Sequence, residues 1–139
     1  MEGRCLCGAV TLRIDGTHDS LVGACHCRMC QRWTGGLFLS FDVDEAGLTV
    51  TGPVGIYAST SFSERAFCKV CGSHLWLRDI GNTSLDMMPG LFDGAARFPL
   101  RSEVYSDRAM ASVLLAGEHA RATEAEYEAK NLHVAGGGP

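Results

Sequence analysis

The chain has 139 residues, a formal net charge of −4 and no cluster of Lys and Arg. Phosphate contacts need grouped cations, so nucleic acid is not an expected partner. No run of about 18 apolar residues occurs, so no helical membrane span is expected. The opening Met1-Glu2-Gly3-Arg4-Cys5 has no apolar stretch behind a basic start. No signal peptide is expected there, which points to a reducing cytoplasm. In that compartment cysteine clusters bind metal or do chemistry more often than they form disulfides. Glu64, Asp79 and Asp86 have no visible partner in the sequence, and none is named as a general base. Neither an internal repeat nor an interdomain linker is found. A single domain over residues 1–132 with a flexible tail over 133–139 is therefore expected.

Turns are plentiful: 17 glycines punctuate a chain that is 46% apolar, a normal globular share. Frequent turns favour short strands over long helices. Val10, Leu12 and Ile14 alternate with Thr11 and Arg13, the period of a half-buried strand over 8–14. Leu37, Leu39, Phe41 and Val43 alternate in the same way over 37–43. Further strands are read at 21–26, 47–51, 55–60, 64–68, 73–78, 83–88 and 102–106. Residues 28–33 suit one helical turn. The apolar stretch 109–116 reads as a short helix or a buried segment. Thr123 with Glu126 three positions on forms a capping box that starts a helix over 123–132. The fold class is mainly β with a short C-terminal helix.

Seven cysteines fall into three clusters: Cys5 and Cys7, then Cys25, Cys27 and Cys30, then Cys68 and Cys71. The two pairs supply four thiolates, enough to close one tetrahedral zinc site. Cys5 and Cys7, two apart in a strand, would point to one side. Cys68 and Cys71 before Gly72 read as a zinc-knuckle turn, with Gly relieving crowding beside the metal. The alternative is four unlinked buried thiols.

The triplet Cys25, Cys27 and Cys30 leaves a metal one protein ligand short, the pattern of an open site. Such a zinc suits holding an incoming thiol as its thiolate. Two alternatives stay open. His26 between the first two cysteines could be a fourth ligand, although a residue one step along a strand faces the other way. The triplet could also be a redox site with one disulfide and one free thiol. With seven thiolates and two zinc ions the net charge would move to about −7, so any attraction of an anionic ligand would be local.

Gly3-x-Cys5-x-Cys7-Gly8-x-Val10, Cys25-His26-Cys27-x-x-Cys30-Gln31-Arg32-x-Thr34-Gly35 and Arg65-x-Phe67-Cys68-x-x-Cys71-Gly72-x-x-Leu75 together resemble the glutathione-dependent formaldehyde-activating enzyme family, which shares its domain with centromere protein V. The resemblance runs over roughly residues 3–106. It implies a small, mainly β tent stapled by zinc. It implies that Cys5, Cys7, Cys68 and Cys71 hold a structural zinc, and that Cys25, Cys27 and Cys30 hold a catalytic one. It also implies a carbon–sulfur lyase-type activity, with glutathione as co-substrate adding to formaldehyde. Arg108 is followed by Ala109, Met110 and Ala111, where the family often has a Trp.

Arg32 could bind a substrate carboxylate through its planar guanidinium or make a surface ion pair. Thr34 and the glycines after it could offer groups to an anion or form a plain turn. His26 could face substrate, support the metal ligands or pack. Trp33, Phe38, Phe67 and Trp76 read as core. His74 could support the four-cysteine site. Three function classes compete: a thiol-activating enzyme, a non-catalytic zinc module that binds proteins, and a thiol redox or metal sensor.

Overall fold

The computed structural model describes residues 1–135. In chain order it contains β1 (Glu2–Arg4), β2 (Thr11–Ile14), β3 (Val22–Cys25), α1 (Arg28–Thr34), β4 (Phe38–Asp44), β5 (Leu48–Thr51), β6 (Val54–Ala58), β7 (Ser63–Cys68), β8 (His74–Asp79), β9 (Ser84–Met87), β10 (Leu100–Val104), β11 (Ala120–Ala122) and α2 (Glu124–Lys130). The fold is mainly β, as the turn-rich sequence requires, and it ends in a short helix. No described helix is long and apolar enough to cross a membrane.

Residues 1–20 and 40–98 form one compact unit. In it β2 is the centre of a small antiparallel sheet, with Leu12 opposite Gly3 of β1 and Val50 of β5. The period-2 pattern of β2 does its expected job: Leu12 and Ile14 are buried while Thr11 and Arg13 are exposed. Gly3 is needed because an added Cβ would stand 2.5 Å from the Phe92 ring. β9, β8, β7 and β6 continue from β4 as an antiparallel meander. Val10, Leu12, Phe41, Val43, Leu75, Leu85 and Met87 are at most 2% exposed and form the core. Phe41 is its hub, edge-on to both Phe92 and Phe98. Each such side chain contributes roughly 1.5–3 kcal/mol by leaving water.

Residues 21–39 and those from 99 onward form a second unit. β10 is its central strand and runs parallel to both β3 and β11. The register places Val104 opposite Cys25 on one side and Glu103 opposite Arg121 on the other. α1 follows β3 directly, and Trp33 packs its ring 5.8 Å from Phe38. Thr123 caps α2 and completes the capping box with Glu126, as the sequence foretells. The stretch 109–116 is neither a helix nor a buried segment. It is irregular, and Leu114 is 93% exposed. Met110, Val113 and Leu114 have helical spacing, but no helix forms, and Val113, Leu114 and Leu115 line a cavity with Glu103 and Arg121. Of the tail expected over 133–139, residues 133–135 lie in a turn, and 136–139 lie outside the described residues.

Candidate metal centres

Two tight turns in the first unit bring together its four cysteines. The chain leaves β1 at Arg4, so Cys5 and Cys7 sit in a turn, not in the strand that their spacing allowed. Cys5 N–H donates to Val10 O at 3.0 Å, and Gly8 N–H donates to Cys5 O at 3.0 Å. Gly8 takes φ +77°, a conformation open to glycine at little cost. The second turn repeats this pattern. Cys68 N–H donates to Ser73 O at 2.9 Å, Gly72 N–H donates to Cys68 O at 2.9 Å, and Gly72 has φ +75°.

The sulfurs of Cys5, Cys7, Cys68 and Cys71 all lie within 4.8 Å of one another. Cys5 Sγ and Cys7 Sγ are 3.6 Å apart, and Cys7 Sγ and Cys68 Sγ are 3.9 Å apart. Thiolates about 2.3 Å from a tetrahedral zinc stand roughly 3.8 Å from each other, so this donor set fits zinc. Neighbouring dipoles favour the thiolate form. Val10 N–H donates to Cys5 Sγ at 3.2 Å. The Ser73 hydroxyl lies 3.2 Å from Cys71 Sγ and accepts from Leu6 N–H at 3.0 Å, which ties the two turns together. Ser73, by its hydroxyl and its N–H, brings the Cys71 thiol down to about 5. Burial acts against ionisation of Cys5, yet the Val10 N–H and the sulfurs of Cys7 and Cys68 hold it below the usual thiol range. At Cys7 the Ala9 N–H favours the thiolate, but the sulfur of Cys71, burial and the remaining sulfurs push the group up to about 12. Four thiolates do not share this space without a cation, and a divalent metal would replace the retained proton. His74 is partly buried, and burial followed by the charge of Arg65 holds its imidazole below the ordinary range.

The second unit holds the triplet. Cys25 ends β3, Cys27 is the N-cap of α1, and Cys30 is buried in the first turn of that helix. Cys27 is extended at φ −61° and ψ 154°, and its sulfur accepts the Cys30 N–H at 3.4 Å. The three sulfurs lie within 4.8 Å of one another, so they too could hold a metal. Crowding by the sulfurs of Cys27 and Cys30, then burial, holds the Cys25 thiol well above its ordinary value. The same relief by a cation applies.

The imidazole of His26 is buried, does not join the sulfur cluster, and has Nε2 3.0 Å from Glu103 Oε1. The hydroxyl of Thr34 donates to Cys30 O at 2.9 Å and accepts from Gly36 N–H at 3.3 Å, which secures the end of α1. Arg32 is exposed in the last turn of α1.

Several residues at this site escaped the sequence reading. Gln31 Nε2 donates to His26 O at 2.7 Å and to Arg108 O at 2.8 Å. Glu103 receives His119 Nε2 at 2.7 Å and Arg121 Nε at 3.2 Å on Oε2. Tyr105 has φ +54°, the one positive φ outside glycine among the described residues, and its hydroxyl donates to Glu128 at 3.1 Å. Burial, then Glu128, then the charges of Cys27 and Cys25 keep that hydroxyl protonated. These links join residues far apart in sequence, and no local motif announces them.

Residues 1–108 match the family described as glutathione-dependent formaldehyde-activating enzyme. An uncharacterized lyase of Schizosaccharomyces pombe is 38% identical over 76 residues, covering 54% of this chain and 55% of that protein. A Halomonas elongata protein named for glutathione-dependent formaldehyde activation is 35% identical over 88 residues, covering 57% and 56% respectively. The chain thus spans about half the length of these curated relatives. A crystal structure of a Rhodobacter sphaeroides protein aligns with a TM-score of 0.59 at 21% identity, over 72% of this chain and 99% of that one, a likeness of fold.

Proposed function

The chain belongs to the glutathione-dependent formaldehyde-activating enzyme family, and from that premise we propose that it is a carbon–sulfur lyase-type enzyme that activates a thiol such as glutathione at Cys25, Cys27 and Cys30. The carrying observation is the convergence of three sulfurs with no fourth His, Cys, Asp or Glu grouped with them among the described residues. Cys5, Cys7, Cys68 and Cys71 hold a structural zinc in this reading, and the triplet holds a second. A zinc at the triplet supplies a positive charge that stabilises an incoming thiol as the thiolate.

The remaining steps fall to the chain's own groups. Adding the thiol to an electrophile such as formaldehyde forms one C–S bond. The C=O π pair passes to oxygen, and the proton lost by sulfur ends on that oxygen, so no oxidant or reductant is needed. Arg32, exposed just past the triplet, binds a carboxylate of the thiol substrate. Thr34 acts on the backbone through its bond to the Cys30 carbonyl, and His26 acts through its side chain beside Glu103.

Metal counting on the native protein and on Cys27→Ser tests this reading. The expected result is two zinc per chain falling to one with the fold retained, together with loss of thiol–formaldehyde adduct formation followed by NMR. Loss of both metals, or of the fold, would make the triplet structural. A second reading, a zinc module that binds a protein, draws on Leu6 and Val70, which stand 90% and 66% exposed at the tips of the two cysteine turns. It predicts adduct formation no faster than in free solution.

A further inference from the structure

The contacts that hold the triplet's loop lie within the family match, which ends at residue 108, but they are braced in turn by chain beyond it. The Cys25–Cys30 loop is held from β10 and the residues after it. His26 N–H donates to Val104 O at 3.1 Å, and Gln31 bridges the His26 and Arg108 carbonyls. That support is secured in turn by the C-terminal segment. Glu103 gathers His119 and Arg121, and Arg108 pairs with Glu124 of α2. The carboxylate of Glu103 is the node. Its Oε1 lies 3.0 Å from Nε2 of His26, the residue between two of the three sulfurs, a contact of charge without hydrogen-bond alignment, and its Oε2 meets the C-terminal pair. Glu103 is 6% exposed, and the side chains of His26 and His119 are 2% and 1% exposed. Such a charge is costly to bury unless its partners are fixed around it. One of those partners, His26, sits on the backbone between Cys25 and Cys27, which Val104 and Gln31 also hold.

We infer that Glu103 is a positioning residue for the tris-cysteine site, coupling the ligand loop through His26 to a C-terminal segment that His119 and Arg121 provide. This rests on the reading that the triplet binds a metal. Removing the carboxylate while keeping the side chain's shape frees the loop between the ligands, and the triplet loses affinity. The four-cysteine site, built from other residues, keeps its own.

Co2+ titration of the full chain tests this on wild type, Glu103→Gln and His119→Gln, the last removing a single arm of the network. Wild type is expected to bind two Co2+. Each variant is expected to weaken the triplet about 10–100-fold, the usual scale for groups that orient ligands, while the four-cysteine affinity changes less than about twofold. Unchanged triplet affinity, or equal weakening at both sites, would overturn the inference. Wild type that binds a single Co2+ would instead defeat the metal reading of the triplet. Amide hydrogen exchange over 25–31 then decides the coupling. Exchange about tenfold faster in Glu103→Gln supports it, and equal exchange overturns it.

Discussion

Cys7 and Cys68 stand 61 positions apart in the chain, yet their sulfurs lie 3.9 Å from each other. A metal joining them closes a loop that contains β2, β4 and the hairpin of β6 and β7. By loop-closure entropy such a link is worth roughly 4 kcal/mol, before any direct bonding energy. Cys68→Ser, or removal of zinc by a strong chelator, is expected to lower Tm by at least about 10 °C. Differential scanning calorimetry of holo, chelated and variant protein gives the measurement. An unchanged Tm would mean that the four sulfurs do not staple this unit.

Glycine substitutions separate backbone strain from steric conflict. At Gly72 an added Cβ meets nothing within 4 Å, but φ is +75°. Gly72→Ala should therefore cost about 1–2 kcal/mol from conformation alone. At Gly52 φ is +113°, and the Cβ would stand 2.0 Å from the Ala9 carbonyl oxygen. Gly52→Ala should cost roughly 2–5 kcal/mol, since strain and overlap add. Gly90 has open space and no positive φ, so Gly90→Ala should stay within about 0.5 kcal/mol of wild type. Urea denaturation of the zinc-loaded proteins at one pH would rank the three.

The legible parts of this protein were local. Cys68-Lys69-Val70-Cys71-Gly72 announces its turn because the chemistry of the turn is contained in five residues. The alternation at Leu12 and Ile14 marks β2 for the same reason. Cys5 and Cys7 were misread as strand residues because spacing alone does not exclude a turn. Only Gly8, with its positive φ, distinguishes the two. Ser73, Glu103 and His119 were invisible because their roles depend on contacts made across the fold. The stretch 109–116 misleads through composition: it is apolar, yet it forms no helix and leaves Leu114 exposed.

Arg32 offers a test of substrate class that leaves the metals alone. Its guanidinium is exposed on α1, two positions after Cys30. Arg32→Ala is expected to raise KM for glutathione about two- to fivefold with kcat nearly unchanged, the loss of one solvent-exposed carboxylate contact. KM for 2-mercaptoethanol, which has no carboxylate, should not move. Equal effects on both thiols would assign Arg32 a structural part only.

Glu103 also sets a pH dependence that can be isolated by difference. Burial disfavours its ionised form, but the His119 hydrogen bond, the charge of His26 and the guanidinium of Arg121 together hold the carboxyl below the ordinary glutamate range. A group whose folded value is depressed contributes stability above its unfolded value and loses it as pH falls through the folded value. The stability gap between wild type and Glu103→Gln should therefore be constant above about pH 5 and narrow progressively below about pH 4. Both proteins are compared in a Cys27→Ser background, because Glu103→Gln also weakens the hold of the triplet on metal and that release would not cancel. Denaturant midpoints measured from pH 7 down to pH 3 would give this difference. A gap that widened on acidification would mean that Glu103 is carried neutral in the fold and that its neighbours are held by something other than its charge.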